Sequence, residues 1–127
     1  MTSRTLRMLY RQIPKTSPCK AGCMDCCGPV AWAKEEFAKV EADLLPSSAR
    51  IELMGVSSVV DAVSGRCAFA TPQGCRVYDR RPLVCRLFGA LKGAPLMECP
   101  HGVKAAKPLT VKQEHAIMLA YHREDMI

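Results

Sequence analysis

The chain has 127 residues, 49% of them apolar, which is typical of one folded domain that buries its own core. It contains no run of about eighteen apolar residues, so we expect no membrane span. The first residues do not form the apolar stretch of a secretory signal, which predicts a cytoplasmic protein whose thiols stay reduced.

The formal net charge is +6 when all eight cysteines are counted as neutral thiols. Four thiolates around one divalent ion reduce this charge to +4, and eight thiolates around two ions reduce it to +2. Basic residues also flank several cysteines, where positive charge stabilises metal-bound thiolates: Lys20, Arg66, Arg76 and Arg86. The excess of basic residues therefore has a local explanation. Binding to nucleic acid is the less favoured explanation of the positive charge.

The first predicted element is an amphipathic helix over about residues 4–13, because apolar side chains recur there at helical spacing and Pro14 follows. The same stretch carries arginine and hydroxyl residues but no acid, which is also typical of a transit peptide; the spacing favours the helix. Residues 14–31 are rich in proline, glycine and cysteine, and we expect them to form a loop around a metal ion.

Helical spacing then predicts a helix over residues 32–45, with Glu36 outside its apolar stripe. The stripe consists of Ala33, Phe37, Val40 and Leu44. We expect Trp32 to be a core or lid residue rather than a platform for a ligand. A shorter helix is predicted over residues 48–54, and the valine-rich run 56–63 fits a strand and a helix equally well.

A β-hairpin is predicted over residues 66–78, because Thr-Pro-Gln-Gly supplies a turn between two short apolar runs. Cys67 and Cys75 would lie at the open end or the turn of this hairpin, depending on the register. The next prediction is a short helix over residues 81–88 that carries Cys85 and ends at a glycine.

Glycine and proline punctuate residues 91–108, which predicts a loop that includes Cys99 and His101. The last helix is predicted over about residues 110–124, since Thr110 and Gln113 have the spacing of a capping box.

The cysteines carry the chemistry that the sequence indicates. Four of them fall within nine residues, and four more follow downstream: Cys19, Cys23, Cys26 and Cys27, then Cys67, Cys75, Cys85 and Cys99. Clustered thiolates suit soft metals, and a short loop gathers them around an ion at small entropic cost. Buried inert thiols would be scattered, and disulfides need an oxidising compartment.

The pair Cys23-Met-Asp-Cys26 also fits a dithiol redox centre. That function is less favoured, because such a pair usually begins a helix in a thioredoxin-like βαβ unit, and here it lies in a glycine- and proline-rich stretch.

Two motifs together resemble the YkgJ-type zinc- or iron-chelating family, which is named for its CxxCxxCC motif. They are Cys19-x3-Cys23-x2-Cys26-Cys27 and, after Cys67, Cys75-Arg-Val-Tyr-Asp-Arg-Arg-Pro-Leu-Val-Cys85-Arg. The first gap has three residues where the family name has two. The resemblance implies chelation without a reaction, and it implies ligand roles for Cys19, Cys23, Cys26, Cys27, Cys67, Cys75 and Cys85. Cys99, beyond both motifs, completes the eight predicted ligands.

We therefore predict one small α+β domain over residues 1–127, mostly helices and loops with a short β-hairpin, organised around a cysteine-rich metal site at about residues 19–99. Zinc is the expected metal, with iron or an iron–sulfur cluster as the alternative. The expected function is metal binding, either structural or in metal handling. The alternatives are an iron–sulfur protein with a redox or enzymatic role and a zinc-stabilised module that binds nucleic acid or protein. No catalytic constellation is visible, so enzymatic activity is not expected, although the sequence does not decide it.

Overall fold

The computed structural model of the protein describes residues 3–16, 30–53, 56–92 and 104–125. Its contacts divide the chain into two units, and each unit is described by itself. One comprises Met1–Cys19 and Cys85–Ile127, and the other comprises Lys20–Val84. The described residues form four α-helices and five short strands, so the α+β class is confirmed. None of the described helices is long and apolar enough to span a membrane.

The unit Lys20–Val84 is built on a three-stranded antiparallel sheet with the order β1-β3-β2. Strand β2 (Ser48–Leu53) pairs with β3 (Val56–Asp61) along its whole length, and β1 (Trp32–Ala33) pairs with the other edge of β3. The predicted helix over 48–54 is therefore wrong, and the run from Val56 is a strand. The pairing of β2 with a β-branched partner strand outweighs the helical propensity of its own residues.

The predicted helix over 32–45 is much shorter in the structure. Helix α2 (Lys34–Ala38) follows β1 directly, and a 3₁₀ turn (Glu41–Asp43) succeeds it. Trp32 and Ala33 are not part of the helix, because their backbone pairs with β3. The apolar stripe is nevertheless confirmed: Ala33, Phe37 and Val40 are buried, and Leu44 is half-buried.

The core of this unit is a single cluster around two aromatic rings. Trp32 and Phe69 meet edge to face with their ring centroids 5.4 Å apart, a geometry that the charge distribution of aromatic rings favours. The other buried members are Phe37, Val40, Val59, Cys67, Ala68 and Val77. Trp32 is 1% exposed, so its predicted place in the core is confirmed.

Glu36 is a buried carboxylate that caps two helices. Its Oε1 accepts a hydrogen bond from the backbone N–H of Ala33 (3.0 Å), and its Oε2 accepts one from the N–H of Leu83 (2.7 Å). Leu83 is the first residue of α3 (Leu83–Leu87). The first N–H groups of a helix have no partner within it, so this side chain satisfies donors at the starts of α2 and α3. Although Glu36 falls outside the apolar stripe, it is only 2% exposed.

The other unit contains α1 (Ser3–Arg11) and α4 (Val111–Asp125), which contact each other. Both terminal helices are confirmed. The capping box is confirmed too: the N–H of Thr110 donates to Oε1 of Gln113 (2.9 Å), and the N–H of Gln113 donates to Oγ1 of Thr110 (3.2 Å). Buried side chains on the two helices include Leu6, Leu9, Ile117 and Tyr121.

Backbone hydrogen bonds also order the described part of the predicted loop 91–108. The N–H of Ala105 donates to the carbonyl of Gly89 (3.0 Å), and the N–H of Leu109 donates to the carbonyl of Ala90 (2.7 Å). Gly89 has a φ of +80°, a conformation that favours glycine, and the predicted end of the short helix at this residue is confirmed within two positions.

We predict that Glu36→Gln destabilises the metal-loaded protein by about 2–3 kcal/mol. Each carboxylate oxygen of Glu36 accepts a hydrogen bond from one backbone N–H group, and glutamine has only one such oxygen. Urea unfolding measures the change. Glu41→Gln is the matched control: Glu41 is exposed and pairs only at the surface with Arg50, so its loss should cost less than about 1 kcal/mol. Equal effects of the two substitutions would contradict the double-capping role.

Candidate metal centre

Three of the eight predicted ligands fall within the described residues, and none of the three is in a disulfide bond: Cys67, Cys75 and Cys85. The other five, and His101, lie outside the described residues: Cys19, Cys23, Cys26, Cys27 and Cys99. Within the described ranges, no three His, Cys, Asp or Glu side chains are grouped so that they can hold a metal. What these ranges do contain is the pair Cys67 and Cys75.

Cys67 is anchored on the edge of β3 that β2 leaves open. It forms an antiparallel bridge with Val60, and the N–H of the next residue, Ala68, donates to the carbonyl of Val59 (3.3 Å). The thiol is therefore fixed by backbone pairing to the central strand of the sheet. The side chain is 9% exposed and belongs to the core cluster.

A tight turn connects the end of β3 to Cys67. Oδ1 of Asp61 accepts hydrogen bonds from the N–H groups of Val63 and Ser64, both at 2.9 Å. The two N–H groups lower the pKa of the Asp61 carboxyl, because they stabilise its charged form. The N–H of Asp61 in turn donates to the carbonyl of Arg66 (2.8 Å), which closes the turn one residue before the thiol.

The predicted hairpin is confirmed, with shorter strands than expected. Strand β4 (Ala70–Thr71) pairs with β5 (Gly74–Cys75), and Ala70 lies opposite Cys75. Oγ1 of Thr71 donates to the carbonyl of Gly74 (2.7 Å) and accepts from the N–H of Gln73 (3.2 Å). Cys75 therefore lies directly after the turn.

Cys75 packs against the core cluster to which Cys67 belongs. Burial raises the pKa of the Cys67 thiol, and the nearby Cys75 raises it further, while hydrogen bonds from the backbone N–H groups of Phe69 and Ala70 act in the opposite direction. The N–H of Ala70 donates to the backbone carbonyl of Cys67 (3.0 Å), which closes a turn at the thiol.

This donor set fits a bound cation. Burial of Cys67 disfavours its thiolate form, and a bound divalent ion reverses that preference by compensating the charge of the sulfur. Zinc and iron both accept cysteine sulfur as a ligand. The described pair would hold one side of such an ion, and a closed four-coordinate site needs two more ligands.

Cys85 belongs to the unit formed by Met1–Cys19 and Cys85–Ile127. It is the third residue of α3 and is half-buried. Its neighbour Arg86 holds its guanidinium 4.0 Å from the ring centroid of Tyr10, a cation–π contact within the same unit. The sequence therefore placed Cys85 correctly on a short helix, and its role as a ligand stays a prediction.

The arginines near the hairpin serve the fold of their unit. Arg76, next to Cys75 in sequence, donates to the carbonyl of Asp43 and lies with its guanidinium 5.8 Å from the ring centroid of Phe69. Arg80 donates to the carbonyl of Lys39 (2.9 Å) and to Oδ2 of Asp43 (2.6 Å). Both side chains thus join the hairpin region to the turn after α2.

One buried polar atom in the core cluster has no hydrogen-bond partner among the described residues, the indole Nε1 of Trp32. Sequence reasoning predicted the burial of this ring but not the state of its N–H group. The only sequence signal for it is that Trp32 is the single tryptophan and follows the clustered cysteines by five residues.

Comparison with known proteins gives one match. Residues 18–116 match the model of the CxxCxxCC family, described as a "putative zinc- or iron-chelating domain". No curated protein and no solved structure matches the chain. The matched range includes all eight cysteines.

We predict that Gly74→Ala weakens metal binding by roughly tenfold in a chelator competition, because alanine is strained at a φ of +116° and the change displaces the adjacent Cys75. An added Cβ meets no atom within 4 Å, so backbone strain alone is tested. Gln73→Ala, at an exposed position of the same turn, is the control and should leave the affinity unchanged. An unaltered affinity in Gly74→Ala would show that this turn does not position a ligand.

Proposed function

The chain belongs to the CxxCxxCC family of zinc- or iron-chelating domains, and from that premise we propose that it is a metal-binding protein whose ion, zinc in first place, is held by cysteine thiolates. The proposed ligands beyond the hairpin are the cysteines that the sequence motifs supply: Cys19, Cys23, Cys26, Cys27, Cys85 and Cys99.

One observation carries the proposal. Cys67 is held on the edge of β3 by its bridge to Val60, and Cys75 packs against the core cluster to which Cys67 belongs. Both cysteines lie within the range that matches the model of a zinc- or iron-chelating domain. Two thiols held against one core by backbone pairing supply two of the four ligands that a closed thiolate site needs.

The proposed role is structural or in metal handling, without a reaction of its own, in the reducing environment of the cytoplasm. A closed set of four sulfur ligands leaves no position for substrate, and such sites stabilise folds. Structural zinc contributes roughly 10–16 kcal/mol of apparent binding free energy in small domains at neutral pH. That amount is comparable to the whole stability of a domain, about 5–15 kcal/mol, so a single ion is enough to decide whether the chain folds.

The test is the metal content of protein prepared without oxygen, measured together with its visible absorption spectrum. We predict a colourless protein with one or two zinc ions per chain. Cys67→Ser and Cys75→Ser should each reduce the bound zinc, because serine replaces a thiolate by a hydroxyl that stays protonated at neutral pH. Val63→Ser, at a position that is 93% exposed, is the control and should retain the full metal content.

Two other results would change the proposal. Brown protein with iron and acid-labile sulfide would replace zinc by an iron–sulfur cluster and favour a redox role. Metal-free protein whose eight thiols all titrate as free would contradict metal binding altogether.

A further inference from the structure

Strand β2 is an outer strand of the three-stranded sheet, and β3 is its partner in the described part of the chain. The edge of β2 that faces away from β3 therefore presents backbone N–H and C=O groups to any strand placed beside it. Residues 49–52 of this strand are all exposed to solvent. An exposed edge of this kind is a surface to which proteins add a further strand.

The backbone groups on this outer edge belong to Arg50 and Glu52. The N–H of Ala62 donates to the carbonyl of Ser47 (2.9 Å), immediately outside the paired residues of β2 and β3. In an antiparallel ladder, the residues that exchange hydrogen bonds with the partner strand alternate along the chain. Ile51 therefore directs its N–H and C=O groups at β3, whereas Arg50 and Glu52 direct theirs away from it.

The side chains of β2 are divided between the two faces of the sheet. The guanidinium of Arg50 donates to Oγ of the buried Ser57 (3.1 Å) and lies 4.3 Å from the ring centroid of Phe37, so it covers the core side. Glu52, two residues further on, lies on the same face and pairs with Arg50 (3.2 Å). Ile51 lies on the opposite face and is 69% exposed.

We propose that β2 pairs antiparallel with β2 of a second copy of this chain, about a two-fold axis at Ile51, so that the two sheets become one. Three registers are centred on residues 50, 51 and 52. An axis at Arg50 or at Glu52 places that residue opposite its own copy, and like charges directly opposite each other are destabilising. The axis at Ile51 instead places each Arg50 opposite Glu52 of the second copy.

This register satisfies the backbone and the side chains together. Arg50 and Glu52 are the residues whose backbone groups face outward, so each opposed pair exchanges two hydrogen bonds and joins two opposite charges. The two Ile51 residues form the pair without hydrogen bonds, with their Cα atoms about 4.5 Å apart, where side chains approach most closely. Charges usually protect an edge strand from pairing, but here the two-fold axis turns them into an attraction. The inference concerns assembly and does not depend on the bound metal.

Sedimentation equilibrium of the full chain, metal-loaded as purified, tests the proposal. We expect the mass to rise toward that of two chains as the protein concentration increases from micromolar to millimolar. A protein that remains a monomer throughout this range would overturn the proposal, whether the edge is covered by the chain itself or reserved for another protein.

Two variants with the same change of charge test the register. Glu52→Lys places lysine opposite Arg50 of the second copy, so the dissociation constant of the dimer should rise about tenfold. Glu41→Lys is the matched control, because Glu41 also pairs with Arg50 (3.3 Å) and has nearly the same side-chain exposure, 59% against 60%. Glu41 lies in the 3₁₀ turn rather than on β2, so dimerisation should not change. Equal effects of the two substitutions would overturn this register.

A mixing experiment gives the sharpest outcome. Arg50→Glu and Glu52→Arg should each be monomeric alone, because like charges then meet at both opposed pairs. An equimolar mixture should form a heterodimer, because opposite charges meet again at both pairs. Two folded variants that do not associate when mixed would overturn the proposal.

The unaltered protein provides a test that does not depend on the folding of Arg50→Glu, which also loses the contacts of Arg50 with Ser57 and Phe37. In a mixture of isotope-labelled and unlabelled chains, an isotope-filtered NOE between the α-protons of the two Ile51 residues is expected, since these protons face each other in a pair without hydrogen bonds. A dimer that lacks this NOE would overturn the pairing of β2 with itself.

Discussion

The structure of the unit Lys20–Val84 depends on the pairing of β3 along both of its edges. One edge is filled by β2, and the other is shared by β1 and by the segment that begins at Cys67. Because backbone pairing fixes the register of every strand, this one constraint determines where Trp32 and Cys67 lie relative to each other. The core cluster and the thiol pair are consequences of that arrangement.

A second constraint is electrostatic. Burial raises the pKa of the Cys67 thiol, and Cys75, which packs against the same core cluster, raises it further. A bound cation offsets this effect by compensating the charge of the thiolate.

The sequence predicts the elements that depend on local signals, which include the two terminal helices, the capping box at Thr110 and the hairpin turn. It does not predict β2 or the burial of Glu36, because each depends on a distant partner: β2 needs β3, and Glu36 needs Leu83, 47 residues further on. The candidate site shows the same division. Spacing places Cys75 in the hairpin, but the bridge of Cys67 to Val60 and the unpartnered indole N–H of Trp32 are visible only in the folded chain.

The measurement that tests the account most directly is X-ray absorption at the metal edge of the protein as purified without oxygen. Thiolate ligation predicts a shell of sulfur atoms at about 2.3 Å from zinc, with the shell depleted in Cys67→Ser. A shell made only of nitrogen or oxygen at about 2.0–2.1 Å, unaffected by that substitution, would contradict a centre held by cysteine sulfur.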